Sequence, residues 1–244
     1  MEDRVVYEVI RIIDGKPLFL ENHLDRMKNS FKLINEEFSL DFNEINNKIK
    51  KAIKTENTLN GNIKLTYGTN EKVFNIFFIE HSYPSDEMYE KGVKTILYFG
   101  ERENPNAKII NQSFREKVNR EIEKNNSYEA ILVDRNGYIT EGSKSNLFMV
   151  KDGVLLTSPL KSVLPGVTRG EIIKVAKQYG IEIKEVEYKY SEINKLDGMF
   201  ISGTSPKILP INQVDDIKLN ENNNIIRSLM EGYNHQIIKY LAMH

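Results

Sequence analysis

The chain has 244 residues, with 34 Lys and Arg against 35 Asp and Glu and 40% hydrophobic residues. That is enough apolar material for one large domain or two small ones, and the charge balance gives no net pull toward nucleic acid or anionic lipid. Cysteine is absent, which excludes disulfide staples, thiolate nucleophiles and cysteine-ligated zinc. The longest strongly apolar run, residues 74–79, is broken by Asn75 and far too short to span a bilayer, and no apolar leader precedes the first strand pattern, so a cytoplasmic location is expected.

Residues 4–13 alternate β-branched and aromatic side chains, Asp14-Gly15 supplies a turn, and Leu18, Phe19 and Leu20 resume the apolar run, which predicts a β-hairpin. Leu24, Met27, Phe31 and Ile34 then fall on one helical stripe. Asp41 with Glu44 has the pattern of a capping box and opens a second helix over 42–55, followed by strands at 63–66, 73–79 and 93–99. The polar stretch GERENPNA, residues 100–107, breaks both periods and is read as a linker between domains 1–99 and 108–244. Beyond it, Phe114, Val118 and Ile122 space a helix. Strands follow at 128–133, 138–139, 147–150 and 154–156, joined at Asn136-Gly137 and Asp152-Gly153 in a manner that favours antiparallel pairing. A helix over 169–179, strands at 181–186 and 199–202, and a terminal helix over 224–242 complete an α/β (α+β) reading.

The four histidines, His23, His81, His235 and His244, show no metal-ligand spacing, so no metal is expected. Neither G-x-S-x-G nor G-x-x-x-x-G-K-[ST] occurs. Leu164-Pro165-Gly166-Val167-Thr168-Arg169-Gly170-Glu171 reads as a helix start. Taken alone it is an ordinary capping box, Thr168 with Glu171, since most helices need caps and few bind anions. The same amides and dipole end are suited to phosphate, with the Thr168 hydroxyl as a further donor.

Three further segments accompany it: Ile139-Thr140-Glu141-Gly142-Ser143-Lys144-Ser145-Asn146-Leu147-Phe148, Phe200-Ile201-Ser202-Gly203-Thr204-Ser205, and Glu21-Asn22-His23-Leu24-Asp25-Arg26. In this order the chain resembles the class IV (fold-type IV) pyridoxal-phosphate enzymes over residues 5–217. These are the branched-chain and D-amino-acid aminotransferases and the 4-amino-4-deoxychorismate lyases. The resemblance implies a two-domain fold with pyridoxal 5′-phosphate in the interdomain cleft, and a homodimer. It places the Schiff-base lysine about twenty residues before the strand that begins at Tyr128, which is Lys108, 33 residues before Glu141. It gives Glu141 to the pyridine nitrogen, and Arg26, Val167, Thr168, Gly203 and Thr204 to the phosphate. The Thr204 and Ser205 amides go to the substrate α-carboxylate, and Glu8 matches a family position with an orienting part.

Where many relatives carry a carboxylate-gripping arginine, this chain reads Ile63-Lys64-Leu65-Thr66-Tyr67-Gly68, so Lys64 or Tyr67 stands in. The pocket-shaping N-terminal segment of longer relatives is expected to be missing. The implied activity is transfer of an amino group from an amino acid, branched-chain-like or D, to a 2-oxo acid. The lyase is the alternative: Gly142 and the L-P-G-x-T-R pattern, retained here, favour the transferase.

Overall fold

The computed structural model describes residues 4–244; Met1–Asp3, read above as lying ahead of the first strand, fall outside the described residues. The chain divides into two compact units. The first comprises residues 1–82, 106–110 and 237–244, and the second 83–105 and 111–236.

In the first unit, β1 (Val5–Ile13) turns at Asp14-Gly15 into β2 (Lys16–Pro17), and α1 (Leu20–Leu33), α2 (Phe42–Glu56), β3 (Gly61–Gly68) and β4 (Val73–Ile79) follow. The sheet runs β2-β1-β3-β4. The expected second hairpin strand stops at Pro17, because Phe19 takes a left-handed conformation (φ 52°) and Leu20 already begins α1. Asp41 caps α2, its carboxylate accepting the Glu44 amide at 3.0 Å, as the sequence pattern predicts. Val6, Glu8, Ile10 and Ile12 alternate inward along β1. The apolar members of that row pack with Leu20, Leu24, Met27 and Phe31 of α1 and with Ile45, Ile49 and Ile53 of α2. Residues 108–110 lie along β1 as well, with the Tyr7 amide donating to Lys108 O at 3.0 Å and the Ile110 amide to Val5 O at 3.1 Å.

The second unit opens with α3 (Asp86–Lys91), β5 (Val93–Phe99), α4 (Gln112–Lys124), β6 (Glu129–Val133), β7 (Tyr138–Gly142), β8 (Asn146–Lys151) and β9 (Val154–Thr157). It continues through α5 (Val167–Gln178), β10 (Ile183–Glu185), β11 (Tyr188–Lys189), β12 (Gly198–Gly203), β13 (Lys207–Val214) and β14 (Ile217–Lys218). The last helix, α6 (Asn224–Met243), supplies residues to both units. Its sheet runs β10-β9-β8-β12-β13-β5-β6-β7-β11, with β14 on β13. The two Gly turns do join antiparallel pairs, β6 with β7 and β8 with β9.

The division differs from a boundary at residue 100. Strand β5 pairs in parallel with both β6 and β13 and so belongs to the second unit, whereas residues 106–110 cluster with the first because they hydrogen-bond to β1. Among the described residues no helix is long and apolar enough to cross a membrane, and no group of three or more His, Cys, Asp or Glu residues could hold a metal ion.

Candidate active site

In the first unit Glu8 of β1 meets His23 and Arg26 of α1. Arg26 grips Glu8 with two donors, Nε to Oε1 at 2.8 Å and Nη2 to Oε2 at 2.5 Å, while His23 Nδ1 stands 2.8 Å from Oε2. The spacing of three between His23 and Arg26 puts both on one side of α1, facing the inward row of β1 that carries Glu8. Burial pushes the Glu8 carboxyl up, but Arg26 and His23 more than reverse this and leave it at about 2 instead of 4.5. Burial pushes the His23 imidazole below its ordinary 6.5; Glu8 opposes this, while the Arg26 and Lys108 charges add to it. A neutral ring beside an ionised carboxylate donates its Nδ1 proton to that carboxylate.

Lys108 is joined to the cluster through Ser30, fully buried on α1. The Ser30 hydroxyl accepts the Lys108 amide at 3.1 Å and donates to Arg26 O at 3.0 Å. The Lys108 amine lies 4.6 Å from the Tyr7 ring centroid, a cation–π contact. Lys64 approaches the same ring at 5.4 Å and Phe77 at 5.8 Å. In an antiparallel pair, directly opposed residues share a face, and Lys64 opposes Val9 whereas Tyr67 opposes Val6. The structure therefore separates the two carboxylate candidates. Lys64 shares a face with Tyr7, while Tyr67 is buried on the inward face, edge-on to Phe31, and does not join Lys64 and Lys108.

In the second unit Glu141 is buried on β7. Its Oε1 accepts Arg102 Nη1 at 3.1 Å, and its Oε2 accepts the Leu164 amide at 3.0 Å and Asn146 Nδ2 at 3.5 Å. Asn146 also donates to Leu164 O at 2.8 Å, so one side chain ties the carboxylate to the approach of α5. The expected capping box is absent. Gly166 is the N-cap of α5, with no side-chain cap bond, and Thr168 is already inside the first turn. Glu171 turns instead to Lys174 at 2.6 Å and Gln236 at 3.1 Å. Gly166 is required because a Cβ there would stand 1.9 Å from Asn146 Oδ1.

Gly203 ends β12, and Thr204, Ser205 and Pro206 form the turn into β13. Just before it, the buried Ser202 hydroxyl has no hydrogen-bond partner among the described residues. An α5 start without a side-chain cap, together with an unsatisfied buried hydroxyl, is a donor set suited to an anion such as phosphate.

Sequence reasoning passed over Ser30, Arg102 and Glu129, and quoted His23 and Asn146 within motifs without giving either a role. Buried Glu129 accepts the amides of Ala130 (2.9 Å), Ser143 (3.2 Å) and Lys144 (3.2 Å) and the hydroxyls of Ser143 (2.5 Å) and Ser145 (3.1 Å), which fixes the turn between Glu141 and Asn146. The Glu8–His23–Arg26 set was legible in part, since a charged residue alternating inward on a strand needs a partner.

The comparisons give the family. Residues 5–214 match the model for amino-transferase class IV. The branched-chain-amino-acid aminotransferase of Escherichia coli (strain K12) is 32% identical over 240 residues, covering 88% of this chain and 78% of that protein. The D-alanine aminotransferase of Staphylococcus epidermidis is 28% identical and covers 98% of this chain and 89% of its own length. A Legionella pneumophila structure assigned as a 4-amino-4-deoxychorismate lyase superposes with a TM-score of 0.86 at 22% identity, covering 96% of this chain and 91% of that one, a likeness of fold alone. The chain belongs to the class IV aminotransferase family.

Proposed function

We propose that the protein is a pyridoxal-phosphate-dependent aminotransferase, moving an amino group between an amino acid of branched-chain-like or D type and a 2-oxo acid. The observation that carries this reading is the Ser30 link, which brings the Lys108 and Arg26 backbones to one hydroxyl although 78 residues separate Lys108 from Ser30. In this reading Lys108 is the tethering and proton-carrying amine and Arg26 a phosphate ligand. The bound cofactor supplies an electron sink for charge developing at the substrate Cα. Lys108 Nζ takes the proton from Cα, with the face of Tyr7 fixing its approach. Glu141, held by Arg102 and the Leu164 amide, keeps a proton on the pyridine nitrogen. The resemblance gives the phosphate to the amides of Val167 and Thr168 with Gly203 and Thr204, and also to Arg26, which Glu8 aims. The Thr204 and Ser205 amides receive the α-carboxylate, and Lys64 is the cation for a substrate acid group.

A second reading, 4-amino-4-deoxychorismate lyase, is favoured by one observation: the only cation at the two carboxylate-candidate positions, Lys64, lacks the guanidinium fork, and Tyr67 is turned inward. Borohydride reduction of the reconstituted enzyme, then peptide mapping, should find the cofactor on Lys108; a label elsewhere or nowhere would sink both readings. Without an acceptor, a transferase releases one equivalent of 2-oxo acid per site and stops, whereas repeated release of pyruvate from aminodeoxychorismate identifies the lyase. The working form in this reading is a cytoplasmic homodimer, which sizing by light scattering checks.

A further inference from the structure

Helix α1 carries both His23 and Arg26, yet its own start is poorly provided for. Its N-cap is Phe19, a bulky residue held at φ 52° and ψ 43° with no side-chain cap bond. A non-glycine residue in the left-handed region is strained, and an aromatic side chain has no acceptor to offer the first-turn amides. The Leu20 amide is buried and needs a partner. It finds one 220 residues along the chain: the Tyr240 hydroxyl, from the end of α6, accepts the Leu20 amide at 3.1 Å. The same hydroxyl donates to Glu21 Oε2 at 2.8 Å, and the Tyr240 ring packs on Phe19 with centroids 4.8 Å apart. Lys16 adds a bond to Leu241 O at 2.8 Å. One tyrosine thus supplies the acceptor that a local Ser or Asp would normally provide, together with a donor to Glu21 and a ring against Phe19.

We infer that Tyr240 is a positioning residue for cofactor phosphate binding, acting as a remote cap that fixes the first turn of α1 and through it the placement of His23 and Arg26. His23 makes the first backbone bond of that turn, its amide donating to Phe19 O at 3.2 Å, so any fraying at Leu20 reaches His23 directly and Arg26 one turn later. This inference rests on the reading of Arg26 as a phosphate ligand.

The test uses the full-length apoenzyme and compares the affinity for pyridoxal 5′-phosphate with that for pyridoxal, which lacks the phosphate, by spectral titration. Tyr240→Phe keeps the ring and removes the hydroxyl. It should weaken pyridoxal 5′-phosphate binding about fivefold, the loss typical of a helix cap, while leaving pyridoxal binding unchanged. Hydrogen exchange at the Leu20 to Leu24 amides should accelerate in the same variant. An unchanged ratio of the two affinities overturns the inference, whatever happens to thermal stability. Should Tyr240→Phe fail to fold, Glu21→Gln, which keeps a side-chain oxygen near His244 but weakens the acceptor that orients the hydroxyl, should move the ratio in the same direction; no movement is equally fatal. Arg26→Ala separates the two ideas. If it leaves the ratio untouched, the phosphate reading itself fails; if it lowers the ratio and Tyr240→Phe does not, only the remote cap fails.

Discussion

Glu8 and Glu129 are both buried carboxylates, 0% and 4% exposed, yet they are satisfied in opposite ways. Glu8 takes a guanidinium and an imidazole; Glu129 takes three backbone amides and two hydroxyls, with no cation among them. A carboxylate bound to charged ends of long side chains aims those ends, because the backbone beneath them is already set by the helix. A carboxylate bound to the amides of one turn sets the backbone itself. The first unit thus uses its buried anion to orient cations, and the second uses one to hold the turn between Glu141 and Asn146.

Removing the proposed reactive amine should give the largest effect and leave both carboxylates in place. Lys108→Ala is expected to abolish borohydride-fixable cofactor completely while unfolding stability stays within about 1 kcal/mol of the parent, as read by absorbance and urea titration. Retained fixation would reassign the amine. Glu129→Ala should come next, with a stability loss of roughly 3–4 kcal/mol, because five donors lose their acceptor in a buried turn. A loss under about 1 kcal/mol would mean that solvent already reaches the turn.

Glu8 then sharpens the contrast through pH. Its folded value, about 2, lies below the unfolded 4.5, so the unfolded chain binds the proton first as pH falls. The stabilisation is therefore complete above about 4.5 and is lost as pH drops through about 2, to a total of ~3 kcal/mol. His23 is depressed too, and its contribution is likewise present above 6.5 and declines on acidification. In Glu8→Gln the acid loss between pH 4.5 and 2 should shrink by that amount relative to the parent; identical profiles would show that Glu8 carries none of it.

The regular elements were largely legible because period and caps agree. The α1 stripe, the Asp41 cap and the two Gly turns all follow from local chemistry. What escaped was decided at a distance. Strand β13 reads KILPINQV, with a proline and three polar residues, and is held as a strand by flanking β12 and β5. Helix α3 is only six residues, too short for a period to show. Phe19 looked like strand because its left-handed turn is supported from Tyr240. Lys108 and Arg26 could be proposed only through the resemblance to the class IV enzymes, and Ser30, which joins them, carries no signal beyond being a small polar residue on an apolar stripe.

The start of α5 offers a smaller test. Gly166→Ala should cost about 2 kcal/mol, since the new Cβ would drive Asn146 off Leu164 and Glu141. Thr168→Ala should change stability by less than about 0.5 kcal/mol, because Thr168 is not the cap, while weakening pyridoxal 5′-phosphate binding severalfold. A stability loss for Thr168→Ala as large as a missing cap would restore the capping-box reading.

The smallest effect concerns which side chain meets the substrate acid. Strand parity sets Lys64 on the face of Tyr7 and turns Tyr67 inward against Phe31. Lys64→Met keeps the aliphatic stem and removes the charge, so it should raise KM for the acid substrate about tenfold, the worth of a charge-assisted bond, with kcat within about twofold. That split is the mark of binding energy expressed equally in ground and transition states. Tyr67→Phe keeps the edge-on ring packing and should leave KM unchanged. The reverse pattern, a KM rise in Tyr67→Phe and none in Lys64→Met, would mean that β3 exchanges its faces when substrate binds. A one-residue register slip would do this, and it would also bury Lys64 in the apolar core, at a desolvation cost that the sheet has no partner to offset.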